Sequence, residues 1–222
     1  MPEIPPDRFA QFITGYVVLL FSLSVHESAH AWTALRMGDP TAANLGRITL
    51  NPLAHIDPIG TVLMPMLQLF SMGIPLLAWA KPTPVQARNF APGRLRSGQI
   101  LVAGAGPISN FLLAIVFTLI LTALVRGGAE LHRGDAVFSI LSTGVLLNVF
   151  LGVFNLIPLP PLDGSHVASW GLPRSLGDQY DRVMERWGQW ILLLAFATGA
   201  LSYITSPVSA AILRALYWVI FP

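Results

Sequence analysis

The sequence predicts an all-α polytopic membrane protein, and three observations carry that expectation. Of its 222 residues, 54% are apolar and only 11% charged, where soluble domains carry about 25% charge. The mean hydropathy is +0.63. Several runs reach the length of about 20 apolar residues that a spanning helix needs. This composition excludes a disordered chain, a nucleic-acid binder with a basic surface, and most soluble folds. The 13 basic residues against 11 acidic ones leave a net charge of only +2, which says little about anionic partners. There is no cysteine, so disulfides and thiolate sites are excluded and any metal must use His, Asp or Glu.

Six segments follow in order. Residues 9–35 are apolar with one formal charge, Glu27. Residues 58–80 are apolar but contain Pro65, Gly73 and Pro75, so they do not form one unbroken helix. Residues 98–125 begin with the small-residue run AGAG, and 136–157 are long enough to span. Residues 187–203 are just long enough; 207–221 are short, contain Arg214, and either cross at a tilt or lie in the interface. Together they predict five to six transmembrane helices, with a re-entrant or short β segment between the first two core helices. The connection 81–97 holds Lys81, Arg88, Arg94 and Arg96 with no acid, which makes it cytoplasmic by the positive-inside rule. The N-terminal MPEIPPDRF has no basic stretch and reads as mature protein. We read residues 1–222 as a single membrane-embedded domain, with a core over 9–170 and a C-terminal helical hairpin over 187–221.

The sharpest motif is His26-Glu27-Ser28-Ala29-His30. Positions i and i+4 share a helix face, so both imidazoles can reach one ion, with the Glu27 carboxylate beside them as a base. Such groups are costly at membrane depth unless they serve a function. A catalytic zinc has three protein ligands, and the candidates for the third are His55, Asp57, Asp163 and His166. Asp163 closes the stretch NLIPLPPLDG, just beyond the 136–157 segment.

HESAH on an early helix, then NPLAHIDPIG, AGAGPISNF and NLIPLPPLDG, resemble in order and spacing the site-2 protease family of intramembrane zinc metalloproteases. The resemblance covers roughly residues 20–170. It implies one Zn2+ per chain held by His26, His30 and Asp163, Glu27 as catalytic base, and Asn155 contacting substrate or the developing oxyanion. His55 is expected near the active site or in a turn with Asp57. The chain looks like a minimal form, without the PDZ or CBS domain that many members carry. For Asp163 to join HESAH, the first segment and 136–157 must run the same way, inward, so 58–80 cannot cross the bilayer.

The expected function is an intramembrane endopeptidase that cleaves transmembrane segments of membrane-protein substrates. The alternatives are an inactive membrane adaptor and a metal or proton transporter. Residues 47–51 (RITLN) and 76–85 read as strands whose edges could hold an unwound substrate. Asn148 shares a helix face with Asn155 and is expected to bridge helices. The AGAGP run is expected to serve close helix packing, and His132 and His166 to face solvent. The implied setting is the bilayer of a prokaryotic plasma membrane, with the active site toward the cytoplasm and no nucleic-acid partner. The sequence assigns no oligomeric state.

Overall fold

The computed structural model describes residues 6–70, 78–132 and 134–220. The described residues form helices and loops: α1 (Pro6–Met37), α2 (Thr41–Asn44), α3 (Met64–Phe70), α4 (Leu95–Arg126), α5 (Ala136–Asn155), α6 (Asp163–Gly171), α7 (Arg174–Ala197) and α8 (Ala200–Ile220). Four helices are long and apolar enough to cross a membrane: Phe9–Met37 within α1, then α4, α5 and α8. Their outward side chains are apolar as well, among them Val17, Leu112, Leu119, Tyr203 and Trp218. Apolar residues both inside and outside mark a helix surrounded by lipid rather than water.

The core is α1, α4 and α5, which pack on one another. Residue pairs give the directions. His26 meets Asn110 and His30 meets Val102, so α1 and α4 run antiparallel. Phe111 lies on Gly152 and Phe117 on Gly144, so α4 and α5 are antiparallel too. Hence α1 and α5 are parallel, as the third-ligand argument requires. α8 covers the outer side of the pair: Ile212, Leu213 and Leu216 pack around Ala114, Val149 and Val153, and Ile220 reaches Leu121 and Leu141.

Two expectations change. The run 187–203 is not one helix, because α7 ends at Ala197 and α8 starts at Ala200. Gly199 takes the left-handed conformation (φ 73°) that ends helices and favours glycine, so the 207–221 segment lengthens backward into α8. Phe221 lies outside the described residues. Among the described residues there is no strand. Residues 47–51 and 78–85 have no ladder partner and are tied instead by separate bonds; 76 and 77 lie outside the description. The helical stretch Pro58–Leu69 is about 18 Å long at 1.5 Å per residue, too short to span. It starts as a π-helical turn capped by Asp57, whose Oδ1 accepts from the N–H groups of Ile59 and Gly60. Gly73 and Pro75 lie outside the described residues.

Candidate metal centre

His26 and His30 sit one turn apart on the buried face of α1, and Asp163 opens α6 beside them. The Nε2 atoms of the two histidines are 3.1 Å apart. Asp163 Oδ2 lies 3.1 Å from His26 Nε2 and 3.4 Å from His30 Nε2. Among the described residues these three form the group of ligand atoms that could hold a metal ion.

The hydrogen bonds behind the rings fix what the three atoms present. Asn148 Nδ2 donates to the Gly144 carbonyl, which can only accept, and to Ser22 Oγ. Asn148 Oδ1 therefore accepts from Asn110 Nδ2 at 2.9 Å. That turns Asn110 Oδ1 toward His26 Nδ1, 2.7 Å away, so His26 Nδ1 carries the proton. His30 Nδ1 likewise donates to the Val102 carbonyl at 2.6 Å. In the neutral imidazoles that a metal requires, both Nε2 atoms are then bare lone pairs facing the buried Asp163 Oδ2. Three acceptors converging without a proton between them repel unless a cation sits among them. Their spacing matches the edge of a tetrahedral zinc site, about 3.3 Å for bonds near 2.0–2.1 Å. The donor set fits zinc.

Two glycines make room for this arrangement. A Cβ on Gly106 would lie 2.4 Å from His30 Nε2 and 2.5 Å from His26 Nε2. The AGAGP run thus admits the imidazoles and not merely a neighbouring helix. A Cβ on Gly164 would meet the Leu156 carbonyl oxygen at 2.3 Å. Only glycine after Asp163 lets the start of α6 press against the end of α5.

Glu27 is buried beside the ligands. Its Oε2 accepts from the backbone N–H of Thr83 at 2.8 Å, and the Thr83 hydroxyl donates to the Glu27 carbonyl at 3.0 Å. Asn155 is half-buried and donates through Nδ2 to the Leu151 carbonyl of its own helix. His55 is buried but stands outside the ligand group: its Nε2 bonds the Thr49 carbonyl at 2.9 Å, which also receives Ser28 Oγ of α1. Asp57 serves as the helix cap described above. His132 and His166 are exposed. Asn148 bridges α1, α4 and α5. The sequence reading passed over Asn110 and Thr83. A lone side-chain amide in the apolar run of α4 signals a functional residue by its burial cost; nothing local marks Thr83.

Comparison with known proteins agrees with the chemistry. Residues 122–195 match the model of peptidase family M50. Over 212 residues the chain is 36% identical to "Putative zinc metalloprotease YwhC" of Bacillus subtilis, covering 91% of this chain and 90% of that protein. It is 30% identical over 205 residues to "Putative zinc metalloprotease Rip2" of Mycolicibacterium smegmatis, covering 89% and 72%. Over 69 residues it is 39% identical to "Putative zinc metalloprotease MJ0611" of Methanocaldococcus jannaschii, 31% of this chain and 32% of that one. No solved structure matches.

Proposed function

This chain belongs to peptidase family M50, the site-2 protease family of zinc metalloproteases, and we propose that it cuts the transmembrane segments of other membrane proteins within the bilayer. The observation that carries the reading is the triangle of His26 Nε2, His30 Nε2 and Asp163 Oδ2, facing inward among helices of membrane-spanning length. In this reading these three residues hold one zinc ion. Zinc, when bound, supplies a Lewis acid that polarises the scissile carbonyl and makes water a stronger acid.

The chain's own residues do the rest. Glu27 takes the proton of the attacking water and delivers it to the leaving amine. Its Oε2 is engaged by Thr83, which leaves Oε1 for the proton. Asn155 commits one Nδ2 hydrogen to Leu151; the second can donate to substrate or to the developing oxyanion. The asparagine and carbonyl partners of the two Nδ1 atoms keep both histidines in the tautomer that a metal needs.

A transmembrane substrate hides its carbonyls in its own helix, so it must unwind before attack. The loops 47–51 and 78–85 flank α1 near Glu27, and in this reading an extended segment lies along them. With the basic 81–97 connection inside, α1 and α5 run inward and α4 and α8 outward. The helical stretch Pro58–Leu69 then dips into the membrane without crossing it, α7 lies along the cytoplasmic surface, and the site opens toward the cytoplasm of a prokaryotic cell.

Glu27→Gln tests the reading. It should keep zinc and lose cleavage of a single-span reporter protein in detergent micelles, and cleavage retained by that variant would remove Glu27 from its role.

A further inference from the structure

We infer that Thr83 is the positioning residue for the general base, and that the Lys81-Pro82-Thr83-Pro84 segment is a strap built to deliver its backbone N–H to Glu27. The inference rests on the assignment of Glu27 as the base. The strap is anchored at both ends by groups outside the metal centre. On one side, Lys81 N–H donates to the His55 carbonyl at 2.8 Å, and the buried Arg47 guanidinium donates to the Lys81 carbonyl. On the other, Gln86 N–H and Asn89 Nδ2 donate to Asp39 at 2.6 and 2.8 Å. Asp39 is fully buried, two residues past the end of α1. The span between the anchors therefore crosses over the helix that carries Glu27.

Proline explains the precision of the strap. Pro82 and Pro84 have no N–H and fixed φ, and each restricts the residue before it to extended backbone. Across 82–84 the sole backbone donor is Thr83 N–H, and it meets Glu27 Oε2 at 2.8 Å. The Thr83 hydroxyl adds a second bond to the Glu27 carbonyl at 3.0 Å, which fixes the strap to the same turn of α1. A glutamate otherwise free about three side-chain torsions is thus held by one oxygen with the other presented to the reaction. The His55 carbonyl and the Asp39 carboxylate thereby serve as the two anchors of the strap.

Two measurements test this. The first needs no substrate: exchange of the 15N-threonine-labelled Thr83 amide in detergent. It should be at least about tenfold slower in the wild type than in Glu27→Ala, with the Thr61 amide, bonded to the Asp57 carbonyl, unchanged. Equal exchange in the two proteins would overturn the contact. The second compares Thr83→Pro, which deletes the N–H, with Thr83→Val, which keeps it, on a single-span reporter whose helix is broken by a Gly-Pro pair. Thr83→Pro should lower kcat by about 10- to 100-fold with KM and zinc content unchanged, the scale expected for a misplaced catalytic group. Thr83→Val should recover most of that loss. A wild-type kcat in Thr83→Pro, or equal loss in both variants, would overturn the positioning role. Should the wild type cleave no reporter, the proteolytic reading fails on its own, and the exchange experiment still judges the strap.

Discussion

His26 Nδ1 is 2.7 Å from Oδ1 of Asn110, a residue 84 positions later on a different helix. That bond is the end of a relay through Asn148 to Ser22 and the Gly144 carbonyl, and it decides which nitrogen of His26 faces Asp163. Replacing Asn110 by leucine leaves the His26 and Asn148 groups unpartnered inside the protein. Zinc affinity should fall by about 10- to 100-fold, the usual effect of removing an outer partner of a ligating histidine. Competition with a chelator measures it, and an unchanged affinity would mean the relay serves packing only.

The two neighbouring glycines of α4 give a paired test. Gly106→Ala puts a methyl within 2.5 Å of both imidazoles, whereas a Cβ on Gly104 meets only Ile108 Cδ1, at 3.7 Å. Gly106→Ala should therefore lose zinc and activity together. Gly104→Ala should keep both and be neutral or slightly stabilising, since alanine is the better helix former by about 1 kcal/mol. Metal content beside thermal unfolding separates the two.

Asp39 gives the fold a pH dependence of known sign. Burial opposes its charge, but donors from Asn89, Gln86 and Thr41 outweigh that and hold its carboxyl below the usual carboxylate range. A depressed folded pKa contributes stability that is present above the ordinary value near 4 and is lost as pH falls through the folded value. Asp39→Asn should cost about 1–3 kcal/mol near neutral pH, from donors left without acceptors. The gap from wild type should narrow below about pH 4. Thermal unfolding in detergent at the two pH values checks this; an equal penalty at both would show that the charge contributes nothing.

The residues proposed to bind and react stand out in the sequence because their chemistry is local or costly. HESAH places two candidate ligands and a candidate base within one turn and a half of one helix, and three ionisable groups at membrane depth are too expensive to be incidental. Asp163 needed the family resemblance, since an LDG tripeptide reads equally well as a turn; parallel α1 and α5 now supply the geometric reason. What was not legible depends on contacts distant in sequence. Thr83 reaches Glu27 across 56 positions, and no periodicity encodes that. The break at Gly199 was hidden because the residues on both sides are apolar, and hydropathy alone cannot distinguish one helix from two. The strands expected at 47–51 and 76–85 are not seen among the described residues: composition points to extended backbone, while a ladder also requires a partner strand, and none is described beside them.

If one ion joins α1 to the start of α6, the zinc content of the purified protein reports it. Wild type should hold about one zinc per chain, as expected for a single three-ligand site, and His26→Ala and Asp163→Ala should each lose it while remaining folded. Zinc retained at full occupancy by Asp163→Ala would remove Asp163 from the site and leave the third ligand to be found elsewhere.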